Sequence, residues 1–314
     1  LCRRDFTINA MAYNDTDGFV DEFKGLDDLD TKIIRCVGEP ELRFTEDALR
    51  MMRAIRFSAQ LGFTIDEATW NAIKKLSPSI SKISMERVHV ELGKTLMSAH
   101  PDYVAQYSEA GLFAPILPVI DNALKSRYKR KILATLQHTP DNIYLRYAAL
   151  FITSTPDEAA KTLRALKLDN KTVNTVSKLV ELSKMDIEET EPAVRTALNK
   201  YGRDFLPLWH ELMMAVIQAS EDITGISNPA KVKHLLTLKR LGTDILARGD
   251  CFTIKDLDIT GVDLIEYGLK GAEIGNTLNT LLDIVIENPK LNDKATLIAL
   301  LDLSLIHISE PTRP

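Results

Sequence analysis

Arg43-Phe44-Thr45-Glu46-Asp47-Ala48-Leu49-Arg50-Met51-Met52-Arg53-Ala54-Ile55-Arg56-Phe57 is the stretch on which the reading of this chain turns. Thr45 stands where an N-cap belongs, with Glu46 and Asp47 in the first turn as the helix dipole prefers. The helix so predicted ends near Leu61-Gly62, Gly62 supplying the C-terminal signal. Asp47, Arg50, Arg53 and Arg56 are spaced by three. On a helix this makes Asp47, Arg50 and Arg53 neighbours on one slowly drifting face. Two readings stay open from these residues alone. One is an intrahelical ion-pair ladder on a solvated face, worth a few tenths of a kcal/mol per pair. The other is an anion or nucleotide site, because guanidinium forks bind phosphate oxygens bidentately. A carboxylate beside a guanidinium also reads a base edge. The carboxylate accepts from an exocyclic amino group while the guanidinium donates to ring acceptors, which suits cytosine and adenine and suits uracil and guanine poorly.

Upstream lie the only clear strand signals. Phe6 to Tyr13 and Phe19 to Phe23, separated by the turn cluster Asn14-Asp15-Thr16-Asp17-Gly18, read as a hairpin. A short helix follows from Leu26 to Thr31, then a strand over Ile33-Ile34-Arg35-Cys36-Val37 that stops at Gly38-Glu39-Pro40. Downstream the pattern is helical throughout. Asp66 caps a helix through Leu76, Ser84 caps Met85 to Met97, and further helices run to a long one over Asn276 to Glu287. Phe252 to Ile259 is polar and weakly β-like. After Leu301 the period breaks into Ser304-Leu305-Ile306-His307-Ile308-Ser309-Glu310-Pro311-Thr312-Arg313-Pro314, which reads as a tail foreign to the fold. At the other end the chain opens at Leu1, without a Met, and runs straight into the polar stretch Arg3-Arg4-Asp5.

The chain has 314 residues, a formal net charge of −5, 45% hydrophobic and 26% charged residues. That supports real cores and excludes wholesale disorder. No run approaches the roughly 20 apolar residues of a membrane span. The cysteines Cys2, Cys36 and Cys251 are scattered and odd in number, which makes neither a metal motif nor a disulfide framework and fits a reducing cytoplasm. A mild net acidity argues against unspecific adhesion to nucleic acid, but leaves room for a local basic groove.

Four segments together carry a resemblance. Arg3-Arg4-Asp5-Phe6-Thr7-Ile8-Asn9-Ala10 resembles the RRDFTxNA motif of bacterial class II tRNA nucleotidyltransferases, the CCA-adding enzymes of the polymerase-β-like superfamily. Asp21, Gly25, Asp28, Arg35, Gly38 and Pro40 resemble the linking motif, with Glu39 in place of the commoner Asp. Glu46-Asp47-Ala48-Leu49-Arg50 is similar to the EDxxR motif, and Ile83-Ser84-Met85-Glu86-Arg87-Val88-His89-Val90-Glu91-Leu92 to ISxERhxxE. Ile259-Thr260-Gly261-Val262-Asp263 and Lys270-Gly271-Ala272-Glu273-Ile274-Gly275 echo the C-terminal signature. The resemblance is to the Bacillus-like type without a phosphohydrolase domain, and none of the six histidines precedes an Asp.

The resemblance implies an α+β remnant of a nucleotidyltransferase head over residues 1–40, followed by an all-α remainder. That remainder comprises a neck at 41–105, a body at 106–160 and a C-terminal body and tail at 161–303, with 304–314 outside the fold. It implies addition of C, C and A to the tRNA 3′ end from CTP and ATP with Mg2+. Asp47 and Arg50 then read the base edge, Arg4, Arg53 and Arg56 complete the nucleotide site, and Asp5, Glu46, Glu86 and Arg87 give structural support. The family's metal-binding Asp-x-Asp precedes the RRD motif and is expected upstream of Leu1. No catalytic carboxylate is therefore expected in this chain, which reads as an N-terminally truncated and inactive piece of a cytoplasmic enzyme. The helical part is expected to hold the acceptor stem, 3′ end and elbow of tRNA. Its basic candidates are Lys125 to Lys131 and Lys231, Lys233, Lys239 and Arg240. His89 reads as a packing or surface residue, and Trp70 and Trp209 as core or groove-wall residues rather than stacking platforms. Alternatives are a poly(A) polymerase, an enzyme adding only A or only C, and a helical RNA-binding module without catalysis.

Overall fold

The computed structural model describes residues 1–16 and 18–308, with side chains through residue 302. Asp17 and residues 309–314 lie outside the described residues, and with them part of the Asn14–Gly18 turn and the end of the tail discussed above. The chain forms two compact units, one of residues 1–184 and 211–228, the other of residues 185–210 and everything from Pro229 onward.

The first unit opens with the small α+β portion. Its first turn is closed by the Arg4 amide, which donates to the Leu1 carbonyl at 2.9 Å. Thr7–Asn9 is a 3-10 turn, not the strand predicted for Phe6 to Tyr13. Only Phe6 keeps a sheet-like link, an isolated antiparallel bridge to Cys36. The hairpin lies further on, with β1 (Ala12–Asn14) paired to β2 (Gly18–Val20) and Tyr13 opposite Phe19. Helix α1 (Gly25–Asp30) follows. Its first amides, those of Gly25 and Leu26, donate to the Asp21 carboxylate at 2.7 and 2.9 Å. Gly25 is required because a Cβ there would sit 2.4 Å from the Thr7 carbonyl oxygen. Strand β3 (Ile33–Ile34) then leads towards the helices.

Pro40 begins α2 (Pro40–Glu46), since a proline at the first helical position gives up an amide that has no partner there anyway. Thr45 is therefore not an N-cap. It lies inside α2 and donates to the Glu41 carbonyl at 2.7 Å. The chain breaks at Asp47, whose backbone is extended (φ −149°), and restarts as α3 (Leu49–Leu61). The single helix expected from Glu46 is thus two. Gly62 ends α3 in the left-handed region (φ 69°), as its sequence position predicted. Strand β4 (Thr64–Ile65) pairs in parallel with β3. Asp66 caps α4 (Glu67–Leu76) by accepting from the Thr69 amide at 3.1 Å, also as expected.

Helix α5 (Met85–Leu96) packs on α3. Met51, Met52, Ile55, Val88, Leu92 and Leu96 meet there fully buried, each contributing roughly 1.5–3 kcal/mol of transfer free energy. Helix α6 (Val104–Glu109) closes this cluster. Tyr107 donates to the Met52 carbonyl at 3.2 Å and meets the Thr95 hydroxyl at 2.6 Å. The rest of the unit is helical, through Asn170–Leu182 and the latter part of Phe205–Thr224.

The second unit is helical as predicted, with one correction. Phe252 to Ile259 holds a 3-10 turn, Ile254–Asp256, rather than β structure, because the Asp256 carboxylate collects the Thr253 amide and hydroxyl. Leu264, Leu281, Leu282, Val285, Ile286 and Leu297 form the centre of its core. Arg195, 2% exposed, donates to the Ile286 carbonyl at 2.7 Å and pairs with Asp250 at 2.9 Å. The last helix, Lys294–Ile308, runs past Ser304, so the break read at that position does not occur there.

Candidate functional site

The junction between α2 and α3 gathers most of the residues singled out in the sequence. The Asp47 carboxylate accepts from the Leu49 amide at 3.1 Å, capping α3 from outside the helix. Its other oxygen takes Arg87 Nη2 from the first turn of α5 at 2.7 Å. Burial pushes this carboxyl up, but Arg87, the Leu49 amide and the charge of Arg50 outweigh it and hold the carboxyl below its ordinary value. Asp47 is thus ionised and acceptor-only at neutral pH, with a third of its side chain open to solvent.

Arg50 sits beside it in the first turn of α3. Its guanidinium pairs with Glu46 at 2.8 Å and donates to the carbonyls of Arg43 and Arg3 at 3.2 Å. Glu46 also takes Arg43 at 2.9 Å, and its carboxyl is lowered chiefly by the hydrogen bond from Arg50, then by Arg43. Arg53, one turn on, reaches Asp5 at 2.6 Å. Asp5 is buried, and its second oxygen accepts from the Phe6 amide and the Asn9 side chain. The ion-pair ladder along one helix is therefore excluded. Asp47 pairs with α5, Arg50 with α2 and the Arg3 backbone, and Arg53 with the Arg3-Arg4-Asp5 segment. Cys36 is close enough to Arg50 and Arg43 to feel their charge. Its burial nevertheless pushes the thiol up to about 12, so it is no nucleophile.

Arg56 is not brought to this face. It is turned inward and pairs with Glu91 of α5 at 2.6 Å, their side chains 8% and 5% exposed, and its guanidinium lies 3.8 Å from the Phe57 ring centroid. Its place in the nucleotide site is corrected, because a guanidinium buried against Glu91 and the Phe57 ring has no free face for phosphate. Arg4 is exposed at the edge of the Asp5 segment. Glu86 is exposed in the first turn of α5 and stands outside the cluster, whereas Arg87 makes the bracing contact. Sequence reasoning gave no role to Glu91 or Arg43. The signal for Glu91 was available, since it falls on the apolar stripe of Val88, Leu92 and Thr95, where a charge needs a buried partner.

Among the described residues no group of three or more His, Cys, Asp or Glu could hold a metal ion. Asp5 is committed to Arg53, and Asp15 lies in an exposed turn. Leu1 is exposed and apolar, and it marks only the position upstream of which the sequence reading placed the Asp-x-Asp pair; it has no catalytic or ligand role of its own. The described residues thus gather no set that fits Mg2+. No helix of the described residues is long and apolar enough to cross a membrane. His89 receives a packing role, its Nδ1 lying 2.8 Å from the Leu166 carbonyl. Of the basic candidates for RNA, Lys125 pairs with Asp121 and Lys129 with Glu109, each at 2.8 Å.

Residues 1–35 match the family described as "Poly A polymerase head domain". Residues 62–124 match "Probable RNA and SrmB-binding site of polymerase A", and residues 144–301 match the tRNA nucleotidyltransferase domain 2 family. The CCA-adding enzyme of Pediococcus pentosaceus is 30% identical over 306 residues, covering 95% of this chain and 70% of that protein. That of Lactobacillus helveticus is 33% identical over 294 residues, covering 92% and 67%. Among solved structures, the Bacillus stearothermophilus CCA-adding enzyme in complex with CTP superposes with a TM-score of 0.71 at 27% identity, over 98% of this chain and 74% of that one. The nucleotidyltransferase-like start and the helical remainder thus find their counterpart in one group of proteins, and the chain belongs to the family of bacterial class II CCA-adding enzymes.

Proposed function

We propose that this chain forms the nucleotide-selecting and tRNA-holding part of an enzyme that adds C, C and A to the 3′ end of tRNA from CTP and ATP. The observation that carries the choice of residues is the pair Asp47 and Arg50 at the α2–α3 junction. Each is held by a different element, so a carboxylate acceptor and a guanidinium donor are fixed side by side. The exocyclic amino group of cytosine or adenine donates to Asp47, and Arg50 donates to the adjacent ring nitrogen and, for cytosine, the carbonyl. Uracil and guanine present a carbonyl where Asp47 needs a donor, which leaves a desolvated carboxylate facing an oxygen.

Arg53 serves through Asp5, holding the Arg3-Arg4-Asp5 segment against α3 so that exposed Arg4 faces the triphosphate. Glu46 and Arg87 keep Arg50 and Asp47 in place, and Glu86 adds a charge that suits the N-terminus of α5. The division into head remnant, neck, body and tail follows the family, as does a cytoplasmic setting, where tRNA is processed. Mg2+ supplies charge neutralisation and activation of the attacking hydroxyl in such transfers. Its carboxylates would come from outside residues 1–314, and we expect these residues alone not to incorporate nucleotide.

The test joins the chain, ahead of Leu1, to a nucleotidyltransferase head bearing the Asp-x-Asp pair. Incorporation of each of the four nucleotides is then measured on tRNA ending before the CCA. Ordered incorporation of C, C and A with U and G refused supports the proposal. Addition of A alone or C alone supports the restricted enzymes, and tRNA binding without any incorporation supports the RNA-binding module.

A further inference from the structure

At the far end of α3 from Asp47 a cleft of about 340 Å3 opens on the first unit, within the size range of small-ligand sites. Its walls include Phe63, Trp70 and Tyr103, all half-buried, with Gln106 and Glu109 of α6 among its polar lining. Tyr103 is backed by His100, their ring centroids 5.1 Å apart and their planes 26° from parallel. Two cations flank the cleft: Lys74 Nζ lies 5.4 Å from the Trp70 ring centroid, and Lys129 Nζ lies 2.8 Å from Glu109 Oε1.

We propose that this cleft binds an unpaired nucleobase, stacked on its aromatic wall, with the attached phosphate drawn to Lys74. An apolar peptide segment would strip water from the half-buried Gln106 amide and offer it no hydrogen-bond partner. A cationic side chain would meet Lys74 over the Trp70 ring. A base with its phosphate satisfies all three features, because every base has a π-face, an edge of donors and acceptors, and a negative charge one sugar away. The ligand class, RNA or a free nucleotide, rests on the tRNA-substrate reading above, while the site is distinct from the Asp47 junction. It gives Trp70 more than the groove-wall role its sequence implied, whereas Trp209, 2% exposed, is core.

The chain has two tryptophans, and with Trp209 buried, changes in emission on adding a ligand report on Trp70. The probes are an oligoadenylate of about eight nucleotides, AMP, and a blunt RNA duplex of equal length. The oligoadenylate is expected to quench Trp70 saturably while the duplex does not, and quenching by AMP at comparable concentration would assign the cleft to free nucleotides. By anisotropy of labelled oligoadenylate, Trp70→Ala and Tyr103→Ala each weaken binding roughly 5- to 100-fold, and Trp70→Phe retains it within about threefold. Unchanged Trp70 emission at saturating RNA, equal quenching by the duplex, or native affinity in Trp70→Ala overturns the proposal. Ordered CCA addition without Trp70 quenching defeats the cleft alone, and quenching without ordered addition defeats the enzymatic reading alone.

Discussion

Arg53 and Arg56 stand one turn apart on α3, and each pairs with a carboxylate from another element. Arg53 is a third exposed and reaches Asp5 of the Arg3-Arg4-Asp5 segment, whereas Arg56 is nearly enclosed and reaches Glu91 of α5. Spacing by three turns the helix face back by about 60° each time. Over two steps that drift carries the arginine row from the open junction at Asp47 to the packed side between α3 and α5. The first half of the helix therefore presents charge, and the second half buries it. The same residue type at the same interval acts in recognition at one end and in cohesion at the other, and burial decides which.

The largest effect that separates the two halves is on stability. Arg56→Ala leaves Glu91 charged, enclosed and without its partner, which costs about 3–5 kcal/mol. Arg53→Ala leaves the buried Asp5 with its Phe6 and Asn9 hydrogen bonds still made, so a smaller loss of about 1–3 kcal/mol is expected. Urea denaturation of the two variants measures the difference, and equal losses would abolish the distinction drawn here. The double variant Arg56→Met, Glu91→Leu sharpens it. Replacing both charges with apolar groups of similar volume should bring stability back to near the native value or above it.

The next effect concerns recognition and runs the other way. In the protein joined to its catalytic head, Asp47→Ala removes the acceptor for the exocyclic amino group. Selection of CTP and ATP over UTP and GTP should fall by about 1–3 kcal/mol, roughly 5- to 150-fold, while the lost cap of α3 costs about 0.5–2 kcal/mol in stability. Arg56→Ala, assayed where it is still folded, should leave that ratio untouched. Relative incorporation of the four nucleotides onto tRNA ending before the CCA decides the matter. A common slowing of all four by Asp47→Ala would mean that Asp47 only caps α3.

Much of this contrast was legible in the sequence, and the part that was not has identifiable causes. The caps at Asp66 and Gly62 were readable because each acts on its own helix end, through a side chain or a positive φ. The break at Asp47 was hidden because Thr45 and Pro40 are both plausible helix starts, and only the tertiary position of Arg87 makes Asp47 the better cap. Asp47, Arg50 and Arg53 do gather at the α2–α3 junction, though Asp47 lies outside α3, and their partners lie 48 residues apart for Arg53 with Asp5 and 40 for Asp47 with Arg87. No local periodicity reports pairings of that range. Arg56 was misplaced for the opposite reason: its spacing matched the functional row, while its packing neighbours Met52 and Ala59 marked the buried stripe. In the hairpin, a strand was predicted at Phe6, but the Asp5 carboxylate takes the Phe6 amide and the chain turns into a 3-10 turn instead.

The smallest effect tests how Asp47 is held. Arg87 and Asp47 are 50% and 31% exposed, so their ion pair is screened and Arg87→Ala should cost under about 1 kcal/mol in stability. The folded carboxyl of Asp47 lies below its ordinary value of 3.8. Its stabilising contribution is therefore complete above that value and is lost as the pH falls through the lower folded one. The stability gap between native protein and Arg87→Ala should stay constant from neutral pH down to the ordinary carboxylate range and close only below it, as pH-dependent urea midpoints would show. A gap that closes between neutral pH and about pH 5, above the ordinary carboxylate range, would assign the pairing to some other group. The same variant separates bracing from competition at the junction. If Arg87 orients Asp47, nucleotide selection weakens in Arg87→Ala, though less than in Asp47→Ala, since the Leu49 amide still holds one oxygen. If Arg87 only occupies the oxygen that the base requires, selection sharpens instead. We expect the weakening, because a carboxylate anchored from two sides keeps its acceptor direction when the base arrives.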